Sequence, residues 1–137
     1  MQTKAETPAR EKRCPLCQKL KIDFEVHHVI WKTDGGTNAP VNLLEICKSC
    51  HTTINNGDRR DAASLEIKCV FHQLCEHGLS FVLQSGLLTG RHSLKDRLLN
   101  GIEALPADAS ALEADLQLKE FGQLVYNDLV TQATATE

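Results

Sequence analysis

Residues 14–57 decide the fold, and they read CPLCQKLKIDFEVHHVIWKTDGGTNAPVNLLEICKSCHTTINNG. Two Cys-x-x-Cys pairs lie in this stretch, Cys14 with Cys17 and Cys47 with Cys50. A gap of two residues lets both sulfurs of a pair approach one ion at about 2.3 Å, and two pairs supply the four thiolates of a closed tetrahedral zinc site. The spacing therefore predicts a structural Zn²⁺ ion. Redox-active or merely buried pairs are the weaker alternative, because neither pair has the strand-to-helix setting of a thioredoxin motif.

Between and after the cysteine pairs, the sequence predicts two short strands and a helix. Residues 23–31 are rich in strand formers that alternate along the chain, and residues 33–38 have the composition of a turn or loop. A second extended run over residues 42–46 leads into the second cysteine pair. Residues 49–56 then predict a short helix that is closed by Gly57, where a positive φ is easily accommodated.

The second half of the chain has apolar residues at helical spacing. It predicts helices before Gly78 and before Pro106 and a third near the end of the chain, while residues 79–88 stay open between a strand and an apolar helix. Capping boxes are expected at the starts of the last two helices, formed by Ser93 with Asp96 and by Ser110 with Glu113. Cys69 and Cys75, six residues apart on a predicted helix, are expected to be two buried free thiols.

Length and charge set the broad class of the protein. The chain has 137 residues, enough for one ordinary domain or a compact module with a helical appendix. Residues 1–60 hold ten Lys or Arg against seven Asp or Glu, and residues 61–137 hold five against eleven. This asymmetry is what we expect if residues 1–60 face phosphates and the acidic residues 61–137 face solvent or a partner. The apolar runs fall short of the roughly 20 residues that span a bilayer, and no signal-peptide stretch is seen, so we expect a cytoplasmic protein without membrane contact.

Histidines and an asparagine stand in a distinctive order around the cysteine pairs. The motifs are Cys14-Pro-Leu-Cys17, Val26-His27-His28-Val29-Ile30, Gly35-Gly36, Asn42-Leu43-Leu44 and Cys47-Lys-Ser-Cys50-His51. In this order they resemble the HNH family of ββα-metal nucleases, also called His-Me finger nucleases, in the form that carries a four-cysteine zinc knuckle. The resemblance covers about a third of the chain and does not extend to the helical half.

The resemblance and the pattern of elements together predict an α+β fold. It consists of a small ββα-metal finger stapled by the four-cysteine zinc site, followed by a mainly α-helical C-terminal region. We expect residues 1–12 to form a flexible arm, residues 13–60 the HNH nuclease module, and residues 61–137 a helical packing or oligomerisation region.

The residue types also suggest separate tasks for the histidines. Adjacent residues on a strand point to opposite faces, so His27 and His28 should not share one ion as equal ligands. His51 follows a cysteine whose zinc tetrahedron is already filled, which leaves His51 free for a second metal ion. A helix that begins near Cys50 places Asn55 one turn beyond His51, where its amide oxygen could assist as a ligand.

The resemblance implies a specific mechanism for these residues. It makes His28 the general base that takes a proton from the attacking water, and it places one catalytic divalent ion on His27 and His51. Asn42 ties down the loop and orients the histidine. The implied reaction is hydrolysis of phosphodiester bonds in nucleic acid, with DNA favoured over RNA by the resemblance.

The catalytic metal ion stays open. Many cysteine-knuckle members of the family have an acidic residue at the position of His27, and an imidazole there favours later first-row ions over Mg²⁺. Mn²⁺, Ni²⁺, Co²⁺ and Zn²⁺ are therefore candidates, and Mg²⁺ remains one because some members with paired histidines use it.

Two other readings remain open. One replaces the nuclease with a non-catalytic, zinc-stapled nucleic-acid-binding module. In the other, the acidic helical half is a docking element, and the nuclease acts only within a homo-oligomer or a larger assembly formed through the C-terminal helices. No functional role is expected for Asn38, Thr52, His72, His77 and His92. The basic residues that are candidates for phosphate contact, or else ordinary solvated side chains, are Lys19, Lys21, Lys32, Lys48, Arg59 and Arg60.

Overall fold

A computed structural model of the chain describes residues 11–91, residue 96 and residues 110–135. The first cysteine pair lies in a tight hairpin turn between β1 (Lys12–Arg13) and β2 (Leu20–Lys21), which pair antiparallel. The turn closes through backbone bonds that include Cys14 N to Lys19 O at 3.0 Å. The hairpin therefore presents both cysteines of the pair from one short segment.

The central strand pair is formed by β3 (Phe24–His28) and β4 (Leu43–Cys47), which run antiparallel with Phe24 opposite Cys47 and His28 opposite Leu43. Both predicted strands are thus present, the second within one residue of its expected position. The first is shorter than expected, because the chain after His28 leaves the ladder and enters a loop that contains a 3₁₀ turn over Lys32–Asp34.

The helix after the second cysteine pair, α1 (Lys48–Asn56), is also confirmed. Its N-cap is Cys47, whose side chain accepts a hydrogen bond from Cys50 N. The expected positive φ at Gly57 is wrong, since its φ is −85°. The chain there extends directly into Asp58, which caps the next helix by accepting from Arg60 N at 2.9 Å.

The described helices of the second half are α2 (Arg59–His77), α3 (Leu79–Gln84) and α4 (Ala111–Ala135). The open question for residues 79–88 is settled in favour of a short helix followed by turns. At the start of α4 the predicted capping box is formed, because Ser110 N and Glu113 N each bond to the side chain of the other residue at 3.1 Å. The helix expected before Pro106 and its cap at Ser93 lie outside the described residues.

One hydrophobic core joins the cysteine finger to the helices. It includes Cys14 and Ile46 from the finger and Val70, Leu74 and Leu118 from α2 and α4, all nearly fully buried. The α+β architecture of a small finger followed by helices is therefore confirmed. Within the described ranges, no helix has the length and apolar character needed to cross a membrane.

Candidate functional site

The four cysteines of the finger come together as predicted. Their Sγ atoms all lie within 4.8 Å of one another, and the Cys14–Cys50 and Cys17–Cys47 pairs are 3.9 Å apart. Bonds of about 2.3 Å around a tetrahedral Zn²⁺ set sulfur–sulfur distances of about 3.8 Å, so the observed spacing fits this ion. Among the described residues, no other set of three or more His, Cys, Asp or Glu side chains is gathered in this way.

Hydrogen bonds around the sulfurs favour thiolate chemistry. Cys14 Sγ and Cys50 Sγ are hydrogen-bonded at 3.9 Å, and this bond lowers the pKa of Cys14, although burial acts in the opposite direction. The backbone N–H groups of Leu16 and Cys47 also donate to Cys14 Sγ, at 3.4 and 3.5 Å. A metal ion would take the place of the shared proton, and the N–H donors would then stabilise the bound thiolate. The cluster could therefore hold zinc.

The other two cysteines are free thiols outside this cluster. Cys69 is fully buried, as expected, and burial raises its pKa. The expectation that Cys75 is buried as well is wrong, since it is only half-buried and donates to Gln123 Oε1 at 2.8 Å on α4. Its position near the end of α2 leaves one side of the thiol open to solvent.

A separate cavity of about 320 Å³ lies beside β3 and α1 and is lined by His27, His28, His51 and Asn55. The loop after β3 completes it with Trp31, Lys32 and Thr33, and Val26 adds an apolar side chain. Three histidines and an asparagine from two separate segments of the chain thus share one cavity. A larger cavity of about 590 Å³ near Lys21 and Lys48 contains no histidine.

The side chain of His27 has the features of a metal ligand. Its side chain is buried, its ring lies 5.3 Å from the ring of His51, and its Nε2 atom has no hydrogen-bond partner. Burial, and then the nearby charges of His51 and His28, lower the pKa of His27 to about 4. The imidazole is therefore neutral at pH 7, which is the form that binds a metal ion. A buried nitrogen without a partner is costly, and a metal ion on it would remove that cost.

His51 has a carboxylate partner that the sequence reasoning missed. Its Nδ1 lies 2.6 Å from Glu25 Oε1, and both side chains are partly exposed. Glu25 is two residues before His27, and the two-residue period of a strand places both side chains on the same face. That alternation was visible in the sequence and could have identified Glu25.

His28 bonds to Asn38, for which no role was expected. His28 Nε2 lies 2.9 Å from Asn38 Oδ1. Because an amide oxygen only accepts, the imidazole nitrogen is the donor, and a neutral ring then keeps its lone pair on Nδ1. This is the state that a general base requires. Asn38 follows the Gly-Gly pair in a loop, and no periodicity connects it to His28.

Asn42 is buried and ties down the loop that follows β3. Its Oδ1 accepts from Ile30 N at 2.7 Å, and its Nδ2 donates to Ile30 O at 3.1 Å and to Thr37 O at 2.8 Å. The side chain thus joins the two ends of the loop. His28 itself donates its hydrogen bond to Asn38 and not to Asn42.

The remaining described histidines lie elsewhere. His72 packs edge-on against Tyr126 at 5.3 Å between ring centroids, and its Nδ1 lies 2.8 Å from Gln73 Oε1. His77 ends α2 and lines a different cavity with Asp115 and Lys119. Neither lies at the cavity of His27 and His51.

A family model matches the finger. Residues 14–57 match the model of the family described as HNH endonuclease. The same residues carry the four-cysteine cluster that could bind a metal. The resemblance to HNH proteins with a cysteine zinc knuckle is thereby confirmed for this segment, about a third of the chain. It indicates a role in nucleic-acid binding or cleavage.

A curated relative also matches about a third of the chain. Anaredoxin from Nostoc sp. is 30% identical over 46 residues, which are 34% of this chain and 60% of the relative. Its name states neither a nuclease activity nor a nucleic-acid partner. No solved structure matches the chain at a significant level.

Proposed function

We propose that the HNH segment of this protein is an active metal-dependent endonuclease that hydrolyses phosphodiester bonds, with DNA as the favoured substrate. The observation that carries the proposal is the shared cavity of His27, His28, His51 and Asn55, which is distinct from the cysteine cluster. The chain thus has one group of side chains suited to a structural Zn²⁺ ion and a second group suited to catalysis. A purely structural zinc finger has no need of the second group.

His28 is proposed as the general base. Its hydrogen bond to Asn38 holds the ring with Nδ1 unprotonated, ready to accept a proton from a water molecule. The proton leaves the water oxygen for Nδ1 as that oxygen attacks phosphorus, and the bond from phosphorus to the departing oxygen breaks. His28 needs no metal ligand role for this task.

His27 and His51 are proposed to hold the catalytic divalent ion, with Asn55 as a further ligand on the same helical face as His51. When bound, such an ion supplies positive charge that stabilises the phosphate in the transition state and the departing oxygen. The unpartnered Nε2 of His27 and the neutral state of its ring fit this role. Imidazole ligands suit Mn²⁺, Ni²⁺ or Zn²⁺ and also allow Mg²⁺.

The rim of the cavity offers donors for a nucleic-acid backbone. Lys32, whose side chain is exposed, lines the cavity. Lys21 and Lys48 line the larger cavity. We propose that these groups contact phosphates and not bases, so that sequence preference is weak.

Self-association through α4 is a further part of the proposal. Leu112, Leu116 and Leu124 on α4 expose 69%, 53% and 71% of their surface. Exposed apolar side chains that lie together on one helix can form an interaction site. This face supports a homo-oligomer or a larger assembly. Size-exclusion chromatography with light scattering tests it, because a monomeric mass at micromolar concentration would exclude self-association.

A plasmid-nicking assay tests the proposed activity. Purified, zinc-loaded protein is incubated with supercoiled DNA and, in parallel, with RNA, in the presence of Mg²⁺, Mn²⁺, Ni²⁺ or added Zn²⁺. We expect DNA nicking that depends on the added ion. Binding of DNA without cleavage under every ion would instead favour a non-catalytic, zinc-stapled nucleic-acid-binding module.

A further inference from the structure

The loop over residues 31–38 connects β3 to the segment before β4 and carries Asn38, the partner of His28. Trp31, Lys32 and Thr33 at its start line the histidine cavity. The position of this loop therefore controls both the orientation of His28 and the shape of the cavity. Asn42 joins the two ends of the loop through its bonds to Ile30 and Thr37. Within the loop, the 3₁₀ turn is closed by backbone bonds such as Gly36 N to Trp31 O at 2.8 Å.

A second segment, Ser85–Arg91, is hydrogen-bonded to the loop at Thr33, Asp34 and Thr37. Thr37 N donates to Ser85 O at 3.0 Å, and Arg91 N donates to Asp34 O at 2.7 Å. The Arg91 guanidinium also donates to Thr33 O at 3.0 Å. Three hydrogen bonds thus connect the loop with a segment that lies about 50 residues later in the chain.

Glycines allow the two segments to approach so closely. A Cβ atom on Gly90 would lie 2.1 Å from Asp34 O, and one on Gly86 would lie 2.2 Å from Gly35 O. Gly35 and Gly86 also have φ values of +98° and +97°, which side-chain-bearing residues rarely adopt. At both positions the backbones of the loop and of the second segment are in direct contact, which leaves no space for a methyl group.

We propose that Ser85–Arg91, which lies outside the HNH match at residues 14–57, is a positioning element for His28 that acts through the loop and Asn38. It touches no reacting atom. Its role is to keep Asn38 Oδ1 within hydrogen-bond distance of His28 Nε2, so that Nδ1 stays free to accept a proton. The effect on catalysis rests on the proposed nuclease function, whereas the effect on the His28 ring does not.

The test compares two glycine substitutions that each bring a Cβ closer than 3.0 Å to a backbone atom of another segment. Gly90→Ala places a Cβ against Asp34 O in the loop, whereas Gly122→Ala places one 2.6 Å from Cys75 N, where α4 packs on α2. Both variants of the full-length, zinc-loaded protein are studied at a temperature where circular dichroism shows them folded. Gly122→Ala controls for general destabilisation, because it is remote from the loop.

The first readout is the His28 ring itself, observed by ¹⁵N NMR at pH 8 without added divalent ion. In the parent and in Gly122→Ala we expect the ring proton on Nε2. In Gly90→Ala we expect a mixture of tautomers, as in Asn38→Leu, which removes the acceptor directly. Parent-like His28 signals in folded Gly90→Ala would overturn the inference, and so would equal changes in Gly122→Ala.

The second readout is cleavage at saturating DNA and divalent ion. We expect kcat of Gly90→Ala to fall by up to about 10²-fold with KM and the Kd for Mn²⁺ unchanged, because a small misplacement of a catalytic group lowers the rate but not binding. A parent that cleaves no nucleic acid would contradict the proposed function, while the NMR comparison would still decide this inference.

If Gly90→Ala does not fold, Arg91→Ala replaces it, because it removes the guanidinium bond to Thr33 O without adding atoms. A partial change in His28 tautomer would support the proposal. Signals identical to those of the parent would overturn it.

Discussion

Glu25 Oε1 lies 2.6 Å from Nδ1 of His51, so that a carboxylate on β3 bonds to the histidine of α1. A carboxylate that accepts from one imidazole nitrogen fixes the tautomer and leaves the other nitrogen for a metal ion. The side chain of His27 lies on the same strand face as Glu25, two residues further along. Glu25 thus belongs to the proposed metal site without being one of its ligands.

Removal of this carboxylate should weaken metal binding. We expect Glu25→Ala to lower the affinity for Mn²⁺ by about 10- to 100-fold, as measured by isothermal titration calorimetry. Glu45→Ala is the matched control, because Glu45 is an exposed carboxylate on β4 that pairs with Lys12 at 2.8 Å. An affinity in Glu25→Ala equal to that of Glu45→Ala would exclude the proposed role of Glu25.

The cysteine cluster is expected to hold the finger together. Cys14→Ser or Cys47→Ser should lose the bound zinc and unfold residues 14–50, because structural zinc contributes about 10–16 kcal/mol of apparent binding energy in small finger domains. Thermal melts by circular dichroism and zinc content by mass spectrometry measure this. Cys75→Ser is the control, since Cys75 lies outside the cluster. An unchanged melt with one full equivalent of zinc in Cys14→Ser would rule out the assignment.

The two metal sites should differ in their response to chelation. A mild chelator should remove an ion from open histidine ligands before it removes one from four thiolates. We therefore expect nicking to stop while the circular dichroism spectrum and the zinc content persist, and Mn²⁺ or Mg²⁺ to restore cutting. If neither ion restored cutting to a protein that retained its zinc, an exchangeable second metal would be hard to defend.

The sequence predicted those parts of the site that short-range spacing determines. The sulfurs of Cys14 and Cys17 come together in the hairpin turn, and those of Cys47 and Cys50 come together because Cys47 caps the helix whose first turn contains Cys50. Alternation along β3 places Glu25 and His27 on one face. Glu25 could have been found by the same alternation. These features depend on local geometry, which the residue spacing specifies.

The sequence could not predict the contacts made by irregular backbone. Asn38 reaches His28 because a glycine-containing loop folds back over β3, and no period relates the two residues. The approach of Gly90 to Asp34 joins two loops that are separated by α1, α2 and α3. Such contacts depend on the tertiary packing of the helices, and glycine leaves no side-chain pattern from which to infer them.

The central claim is that His28 is the general base. A comparison of three variants tests this claim most directly. His27→Ala and His51→Ala should lose activity through weakened metal binding, so that a higher concentration of divalent ion restores part of it. His28→Ala should fold and keep its zinc, yet its rate of plasmid nicking should fall by about 10²- to 10⁴-fold at every ion concentration. A His28→Ala protein that nicks DNA as fast as the parent, with contaminating nuclease excluded, would contradict the account.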